Sequence, residues 1–457
     1  MTEHREEHIQ NDPPTREDRI NELRELIESG RLKEVGAYLQ GIEPEDVAEI
    51  LAEFSVEDKI TLFNLLDPDD AAVVLDDTDS QTRLQLLQKV DNEKLSRVFD
   101  AMPVDEAADI VEEVPEEERE EILDLLEKED AEEVAEILSY PEDSAARVMN
   151  PDFIHVRENN DVEDAINYIR SIEVDEEVFY IYVVDEGKKL RGIVPLRKLL
   201  TARKGALIKD IMEGDVHSVL ANEDQENVAR IMKKYDLTAL PVIDEKEELI
   251  GRITVDDIID VMDEEHAEDI SRMTGTIEEE RGTETTIEAT QNRLPWLITC
   301  MLGSIITGLV IQLFEITLAE TIALVSFIPV ITATGGNSGV QASTVVVREI
   351  AFERMDLSRV GDEIWRQLKI ALTLGIVCGV VLTFLASIWK HNSVVGIIVG
   401  LSIFLVVVWS NFVGVLIPVV FKRVGVDPAI ASGPLITTLN DVIGVFIYLS
   451  VATTFLA

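Results

Sequence analysis

The stretch DPAIASGPLITTLNDVIGVFIYLSVATTFL at 427–456 decides the fold, because it is an apolar run long enough to cross a bilayer and it contains one internal carboxylate, Asp441. An ionisable group at membrane depth costs at least ~2.5 kcal/mol, and such groups usually serve ion, proton or substrate traffic. The alternative, a solvated helix end, is disfavoured because Asp441 lies fourteen residues after Asp427, roughly 20 Å along a helix. The pattern therefore predicts a functional carboxylate inside the membrane.

Five stretches of the chain are apolar enough to span a bilayer, which needs about 20 residues. They are 294–313, 321–347, 368–389, 394–421 and 428–456. Basic residues follow the second and fourth stretches: Arg348, Arg354, Arg359, Arg366, Lys369, Lys422 and Arg423. The first loop instead has Glu315 and Glu320. By the positive-inside rule, the N-terminal half is cytoplasmic and the C-terminus, after an odd number of spans, is extracytoplasmic.

Charge is divided unevenly along the chain. The net charge is −49, yet residues 293–457 hold nine basic and nine acidic side chains, so the first 292 residues hold the other 31 basic and 80 acidic ones. Such a surface repels nucleic acid and favours multivalent cations, although solubility in a salty cytoplasm is a second reading. The N-terminus lacks the apolar core of a signal peptide, which predicts a cytoplasmic location. Cys300 and Cys378 lie in apolar stretches, which argues against disulfides.

The second span contains the unusual sequence IPVITATGGNSGVQAS at 328–343. Gly335, Gly336 and Gly339 permit backbone conformations that larger residues forbid, and Asn337 supplies a polar side chain. We expect the helix to break into a turn here, since irregular backbone at membrane depth survives only where protein buries it or water lines it. The alternative is a continuous helix whose small residues allow tight packing.

The last span begins with a similar polar segment, in which Gly433 and Pro434 are expected to break the helix. Thr437, Asn440 and Asp441 then lie within one helical turn, so their oxygens are expected to share one aqueous face. Two broken polar segments from different spans predict a cation path. Because Mg²⁺ gives up its water reluctantly, one carboxylate per chain suits it, and a symmetric dimer would present two copies to one ion.

Short amphipathic helices recur about every twelve residues from DVAEIL at 46–51 to SAARVM at 144–149. Units this short bury their apolar faces only by stacking, which predicts an all-α superhelical domain at 22–149 after a flexible tail at 1–21. Acidic residues before each apolar run fit helix N-caps and first turns. Most of these charges are therefore expected to be structural, and a minority to be ligands.

A tandem repeat of two α+β units follows at about 150–203 and 204–261. The segments 180–200 and 239–259 match, with Gly192 and Gly251 in register 59 residues apart. This resembles a pair of CBS domains, a module that often binds adenosine nucleotides. The resemblance implies a regulatory role, since no phosphate loop or catalytic constellation accompanies the repeat.

A helix is predicted over 256–273, with carboxylates around most of its surface, and it opens a connecting segment at 262–292. Unscreened, such a helix repels other acidic surfaces by roughly a few kcal/mol, attenuated by salt. Bound divalent cations would reverse the sign of this interaction. His266 is interpreted as an exposed helix residue rather than a ligand.

The order of these parts, together with TGGNSGVQAS at 334–343 and DPAIASGPLITTLNDVIG at 427–444, resembles the MgtE family of magnesium channels. The resemblance covers nearly the whole chain and implies a homodimer in the bacterial inner membrane, with a pore on the dimer axis between the second and fifth spans. It places the pore carboxylate at Asp441 and an acidic residue of the cytoplasmic mouth at Asp427. The pore-lining residues that it implies are Gly335, Gly336, Asn337, Gly433, Pro434, Thr437 and Asn440.

The resemblance also implies that cytoplasmic Mg²⁺ closes the pore by binding to the acidic half. The implied ligands come from the helical domain, the second CBS unit and the connecting helix: Asp105, Asp109, Glu226, Asp236, Asp257, Asp260, Glu265, Glu268 and Asp269. The chain departs from many relatives at Val340 and Gly433, where they often have Asn, so two pore-facing amides are lost. GIVPLRK at 192–198 lacks the Asp that commonly contacts ribose whereas GRITVDD at 251–257 keeps one, so the sequence disfavours ATP binding.

Three functions are consistent with the sequence. We favour a Mg²⁺ channel gated by Mg²⁺, and no enzymatic activity is expected. The first alternative is a secondary transporter that couples divalent cations to H⁺ or Na⁺. The second is a membrane-anchored CBS regulator that conducts nothing. The sequence does not decide how Co²⁺, Ni²⁺ or Mn²⁺ compare with Mg²⁺.

Overall fold

A computed structural model describes residues 14–115, 118–172, 178–274, 276, 286–351, 360–431 and 433–456. The chain forms two compact units, Met1–Asp263 and Glu264–Ala457. The predicted fold class is confirmed: a helical N-terminal part, two small α+β domains, a connecting helix and long apolar helices follow one another along the chain.

Short helices build the first part of the chain. They are α1 Arg16–Glu28, α2 Leu32–Leu39, α3 Pro44–Leu51, α4 Val56–Leu65, α5 Pro68–Asp77, α6 Ser80–Lys89, α7 Asn92–Phe99, α8 Val104–Glu113, α9 Arg119–Leu123 and α10 Lys128–Ile137. From α3 to α8 each helix begins twelve residues after the one before it, which confirms the repeat. Helix α3 packs on α5, α5 on α7 and α4 on α6, so apolar faces are buried between second neighbours.

Acidic and hydroxyl residues cap several of these helices, as predicted. Ser55, Asp67 and Asp79 each accept a hydrogen bond from the backbone N–H three residues later. Many of the acidic residues are therefore explained by helix starts rather than by ligand binding.

The flexible tail predicted at 1–21 is too long. Helix α1 begins at Arg16, where Thr15 and Asp18 form a reciprocal capping box. Residues 1–13 lie outside the described residues.

The helix predicted over 144–149 is also wrong, because this described stretch forms turns. Ala145, Ala146 and Met149 are instead buried in the core of the second CBS domain. Their apolar spacing reflects burial against a sheet, which helical periodicity alone does not distinguish from a helix of the preceding repeat.

Two three-stranded sheets form the CBS pair. The first contains β1 His155–Arg157, β2 Tyr180–Val184 and β3 Leu190–Pro195, and the second contains β4 Val219–Leu220, β5 Ala239–Ile243 and β6 Leu249–Thr254. The helices around them are α11 Val162–Ser171, α12 Leu196–Leu200, α13 Ile208–Ile211 and α14 Gln225–Tyr235. In each sheet the first two strands are parallel and the last two antiparallel. Strands β2 and β5 begin 59 residues apart, as do β3 and β6, which confirms the repeat.

The acidic helix α15 spans Val255–Thr274, close to the prediction. The boundary between the two units falls inside it, after Asp263. Residues 275 and 277–285 of the predicted connecting segment lie outside the described residues.

Long apolar helices make up the second unit. They are α16 Thr286–Leu313, α18 Ile328–Ala351, α19 Val360–Lys390, α20 Ser393–Val424 and α21 Pro434–Leu456, with the short α17 Glu315–Glu320 between the first two. Within the described residues, five segments are long and apolar enough to cross a membrane. Helix α20 packs against α18, α19 and α21. Arg354 and Arg359, which supported the predicted orientation, lie outside the described residues.

The predicted break in the second span is wrong. Helix α18 runs without interruption through Gly335, Gly336 and Gly339. A Cβ on Gly335 would lie 2.7 Å from a methyl carbon of Val406, and one on Gly339 would lie 3.2 Å from the carbonyl oxygen of Ser410. The alternative interpretation, a small-residue surface for close helix packing, is therefore correct.

The predicted break before the last span is confirmed, since α21 begins at Pro434 after a 3-10 helix at Pro428–Ala431. Asp441 follows Pro434 by seven residues, roughly 10 Å along the axis. The carboxylate therefore lies nearer to the start of its helix than a span of 428–456 implied.

Candidate functional site

Asp441 lies where α21 approaches α18. A Cβ on Gly336 would lie 3.9 Å from Asp441 Oδ1 and 3.6 Å from Thr437 Cγ2. Asp441 is half-buried, and the Thr437 hydroxyl donates to the carbonyl oxygen of Pro434 at 3.0 Å, which leaves its oxygen able to accept. The structure thus brings together Gly336, Thr437 and Asp441 from the two spans that were predicted to meet.

Asn440 does not share the face of Asp441, contrary to the prediction. Its side chain is 0% exposed, and a Cβ on Gly339 would clash with its Nδ2. Neither its amide nitrogen nor its amide oxygen has a hydrogen-bond partner among the described protein atoms. Successive helical residues point about 100° apart, which directs Asn440 into the contact with α18 while Asp441 stays half-buried.

The remaining residues predicted to line a pore lie on different surfaces. Asn337 is exposed, Gly335 is buried against α20, and Gly433 and Pro434 are partly buried at the start of α21. A lining role for each of them stays a prediction.

Polar residues of α20 join this region, and sequence reasoning missed them. Asn411 donates through Nδ2 to Ser338 Oγ at 2.6 Å and to the carbonyl oxygen of Val407 at 2.8 Å. Ser410 is buried, and its Oγ has no partner among the described protein atoms. The signal was the pair of polar residues at 410–411, which interrupts an otherwise apolar span.

Asp427 lies before the 3-10 helix that precedes α21. Its Oδ1 accepts a hydrogen bond from the backbone N–H of Ala429 at 2.8 Å, which fixes the turn. Its Oδ2 accepts a hydrogen bond from Arg272 Nη1 at 2.7 Å. The same guanidinium pairs with Glu268 one turn earlier on α15. Sequence reasoning assigned no role to Arg272.

Carboxylates of α8 and α15 come together in the first unit. Asp105 is buried, and its Oδ1 accepts a hydrogen bond from Asn150 Nδ2 at 3.1 Å. Burial, followed by the charges of Asp257 and other neighbours including Asp109, raises the pKa of Asp105 well above its usual range. Burial also raises the pKa of Asp257 and of Asp260. Four of the predicted ligands therefore belong to one electrostatic cluster.

Three further carboxylates, which sequence reasoning missed, belong to this cluster: Asp76, Asp77 and Glu106. Burial raises the pKa of Glu106 to about 8, and the charges of Asp76 and Asp257 add to the effect. Burial raises the pKa of Asp76 to about 6 although the Arg83 guanidinium opposes it. No sequence signal separates these residues from the acidic residues that begin or end most helices of the repeat.

Local structure positions Asp257 in the cluster. Its Oδ2 accepts hydrogen bonds from the backbone N–H of Thr254 at 2.8 Å and from the Thr254 hydroxyl at 2.7 Å, at the start of α15. The charge of buried Arg252 interacts with Asp105 and Asp257. The cluster contains more carboxylates than the two arginines that face it, Arg252 and Arg83. These two arginines therefore do not balance its negative charge.

Other predicted ligands lie elsewhere. Glu226 and Asp236 are exposed near the two ends of α14, roughly 15 Å apart, so they cannot share one ion. Glu265, Glu268 and Asp269 lie on the part of α15 that belongs to the second unit.

The donor chemistry of the cluster fits Mg²⁺, which prefers oxygen ligands and retains several waters. Among the described residues, no three Asp, Glu, His or Cys side chains lie close enough to hold a metal ion directly. A hydrated ion held through one or two carboxylates, among them Asp105 and Asp257, is the arrangement that these residues fit.

Sequence comparisons identify the parts of the chain. Residues 42–143 match the family described as the MgtE intracellular N domain, residues 145–205 and 208–264 match CBS domains, and residues 328–451 match the MgtE family, described as a divalent cation transporter. The chain is 36% identical over 321 residues to the magnesium transporter MgtE of Bacillus subtilis, which covers 70% of this chain and 71% of the relative.

Two other comparisons agree. The magnesium transporter MgtE of Thermus thermophilus is 38% identical over 324 residues, covering 68% of this chain and 70% of the relative. A crystal structure of the cytosolic domain of the Mg²⁺ channel MgtE in complex with ATP is 33% identical, with a TM-score of 0.51, and covers 53% of this chain and 99% of the solved one.

Proposed function

Because this chain belongs to the MgtE family of divalent cation transporters, we propose that it is a channel that conducts Mg²⁺ into the cell and closes when cytoplasmic Mg²⁺ binds to its acidic half. Magnesium transport is the function that its relatives carry. The channel mechanism, the closure by Mg²⁺ and the residues involved are the proposal.

The observation that carries the proposal is the position of Asp441. It is a half-buried carboxylate in an apolar helix, opposite Gly336 and one turn from Thr437. A glycine opposite the carboxylate leaves space that a larger side chain would fill, and Mg²⁺ tends to enter such sites with part of its water shell. Asp441 would therefore bind the hydrated ion, and the Thr437 oxygen would contact its water.

A homodimer in the bacterial inner membrane completes the proposal. Asp441 is only half-buried by its own protomer, so a second copy facing it would enclose the path and double the negative charge. The cytoplasmic N-terminus and extracytoplasmic C-terminus follow from the distribution of basic residues around five spans.

Closure by Mg²⁺ is supported by the crowded carboxylates around Asp105. They are buried beside one another; burial raises their pKa values most, and the charges of the neighbouring carboxylates add to the rise. A bound divalent cation would relieve that repulsion and so stabilise the arrangement in which the carboxylates are close. When Mg²⁺ leaves, the same repulsion favours their separation, which we assign to opening.

The decisive experiment is Mg²⁺ current through the purified full chain in proteoliposomes, compared with Asp441→Ala. The variant should fold and elute as the wild type does but conduct no Mg²⁺, because the path loses its carboxylate. Asp362→Ala is the matched control, since Asp362 is an exposed carboxylate in the first turn of α19, and its current should match the wild type. Normal current through Asp441→Ala would defeat the pore assignment.

The same preparation separates the alternatives. A transporter coupled to H⁺ or Na⁺ would shift its reversal potential when pH or Na⁺ changes, whereas a Mg²⁺ channel would follow the Mg²⁺ gradient alone. A regulator without conduction would give no Mg²⁺ flux in any condition.

That the CBS pair of this chain binds ATP poorly stays a prediction. The solved cytosolic domain of the relative contains ATP, while the sequence of the first CBS unit here disfavours it. Calorimetric titration of the full chain with ATP would show whether ATP binds. Heat of binding at millimolar ATP would contradict the sequence-based expectation of poor binding.

A further inference from the structure

Arg272 is the only Lys or Arg of the acidic helix α15, and its guanidinium forms a salt bridge with Asp427. The helix also contains eight carboxylates: Asp256, Asp257, Asp260, Asp263, Glu264, Glu265, Glu268 and Asp269. Arg272 Nη1 donates to Asp427 Oδ2 at 2.7 Å, and the guanidinium also pairs with Glu268. One cation therefore bridges a carboxylate of the connecting helix and the carboxylate proposed for the cytoplasmic mouth.

The backbone supports the same contact. Any Cβ on Gly433 would clash with the carbonyl oxygen of Met273, the residue after Arg272. The end of α15 thus contacts the segment before α21 at both of its ends, at Asp427 and at Gly433. Since the Ala429 N–H holds the other oxygen of Asp427, the carboxylate is oriented toward the arginine.

We propose that Arg272 is a tethered counter-cation: while the channel is closed, its guanidinium occupies the place at Asp427 that a hydrated divalent cation takes when the channel conducts. Opening then requires the guanidinium to leave Asp427. The proposal rests on the proposed function, which places Asp427 at the mouth of the pore.

The chemistry of arginine suits this role. A guanidinium stays charged at every physiological pH and offers several N–H donors in one plane, so it is able to bridge two carboxylates. Both side chains of the pair are partly exposed, at 41% and 27%. Exposed pairs are weakened by water and salt, so the contact is strong enough to bias the gate and weak enough to break.

The test is the open-to-closed ratio of single channels of the full chain at a fixed, closing concentration of internal Mg²⁺. Arg272→Gln should raise the ratio about fivefold, which is ~1 kcal/mol at about 1.4 kcal/mol per tenfold. Arg272→Lys keeps the charge but loses the planar fork, so it should raise the ratio about twofold. Arg366→Gln is the control, because Arg366 pairs with Glu363 of its own helix at 2.7 Å, and it should leave the ratio unchanged.

A second readout needs no variant. If the contact is electrostatic, raising the salt concentration should narrow the difference between the wild-type ratio and that of Arg272→Gln, since salt acts on the acidic half of both proteins alike. A role in packing alone would not depend on salt. Gly433→Ala, which forces the Met273 carbonyl away, should also raise the ratio and provides the test if Arg272→Gln fails to fold.

The outcomes are distinguishable. An unchanged or lower ratio in Arg272→Gln, or in Gly433→Ala if the former does not fold, overturns the tethered counter-cation while Asp441→Ala still abolishes current. A difference between the wild type and Arg272→Gln that salt does not narrow also overturns it. No Mg²⁺ current through the wild type would instead defeat the proposed function itself.

Discussion

The two units bury polar groups in different ways. The first unit buries carboxylates such as Asp105, Glu106 and Asp257 near one another; burial raises their pKa values most, and neighbouring carboxylates add to the rise. The second unit buries neutral groups instead, including the Asn440 amide and the Ser410 hydroxyl, and it pairs Asp427 with an arginine. Repulsion between buried carboxylates accumulates in the first unit, while the fully buried polar groups named for the second unit are neutral.

This difference fits a division of work between the two units. Buried like charges respond strongly to a divalent cation, because each bound ion removes several repulsive interactions at once. In the second unit the single half-buried carboxylate of Asp441 would hold a hydrated cation weakly enough for the ion to leave again. The stability of the first unit is therefore expected to depend on cations, and that of the second on close packing.

The largest expected effect is a loss of stability in the first unit as pH rises without Mg²⁺. Glu106 has its folded pKa raised from 4.5 to about 8, so between those values the folded state holds a proton that the unfolded state has released. Stability therefore falls as pH rises through this window, by up to roughly 4 kcal/mol for this residue at about 1.4 kcal/mol per pH unit. Thermal unfolding of the full chain in EDTA, from pH 5 to pH 8, measures it.

Mg²⁺ should remove most of this pH dependence, because the bound cation replaces the protons. Glu106→Gln should make the profile in EDTA shallower, whereas Glu120→Gln, at an exposed carboxylate, should leave it as in the wild type. A first unit equally stable at pH 5 and pH 8 without Mg²⁺ would contradict the crowding argument.

The sequence predicted the order and type of the elements better than their contacts. The twelve-residue repeat and the 59-residue CBS repeat are local patterns, so α3 to α8 and both sheets could be predicted. The carboxylates Asp76 and Glu106 could not, because what distinguishes them is burial near carboxylates of α15, Asp260 for Asp76 and Asp257 for Glu106, which lie far from them in the chain. In the sequence, these two carboxylates cannot be distinguished from dozens of other acidic residues.

In the second span, the sequence predicted a helix break that the structure does not have. Gly335, Gly336 and Gly339 suggested a broken backbone, yet the helix is continuous. A glycine serves both for unusual backbone conformations and for close helix contact, and the sequence does not separate the two uses. Knowledge of Ser410 and Asn440 on the facing helices was needed to choose between them.

The next largest effect concerns this close packing. A Cβ on Gly414 would clash with the carbonyl oxygen of Gly339 and lie 3.1 Å from the Cβ of Ala342. Gly414→Ala should therefore destabilise the membrane unit by about 3 kcal/mol, measured by thermal unfolding in detergent. Gly308 of α16 has open space around its Cβ position, so Gly308→Ala should be neutral or slightly stabilising. Equal melting temperatures for the two variants would refute the packing argument.

A smaller effect is expected in the regulation of current. Combining Asp257→Asn, Asp260→Asn and Glu265→Gln should raise the Mg²⁺ concentration that half-closes the channel at least about tenfold, or ~1.4 kcal/mol. The control combines Glu57→Gln, Glu120→Gln and Glu129→Gln, which removes the same charge from exposed helix positions. If both triple variants respond to Mg²⁺ as the wild type does, the sensor assignment is wrong; if both shift equally, only net charge matters.

The smallest effect concerns the buried neutral groups of the second unit. Asn440 is fully buried, and neither end of its amide has a hydrogen-bond partner among the described atoms. Replacing such a group by an apolar one of similar shape is neutral or stabilising by about 1 kcal/mol, because the cost of desolvating the amide disappears. Asn440→Leu should therefore melt at the same temperature as the wild type or slightly above it, while Asn411→Leu, which loses the bond to Ser338, should melt lower.

Mg²⁺ current tests the separate prediction that Asn440 lines the pore. If the amide reaches the ion when the channel opens, Asn440→Leu keeps its stability but loses current.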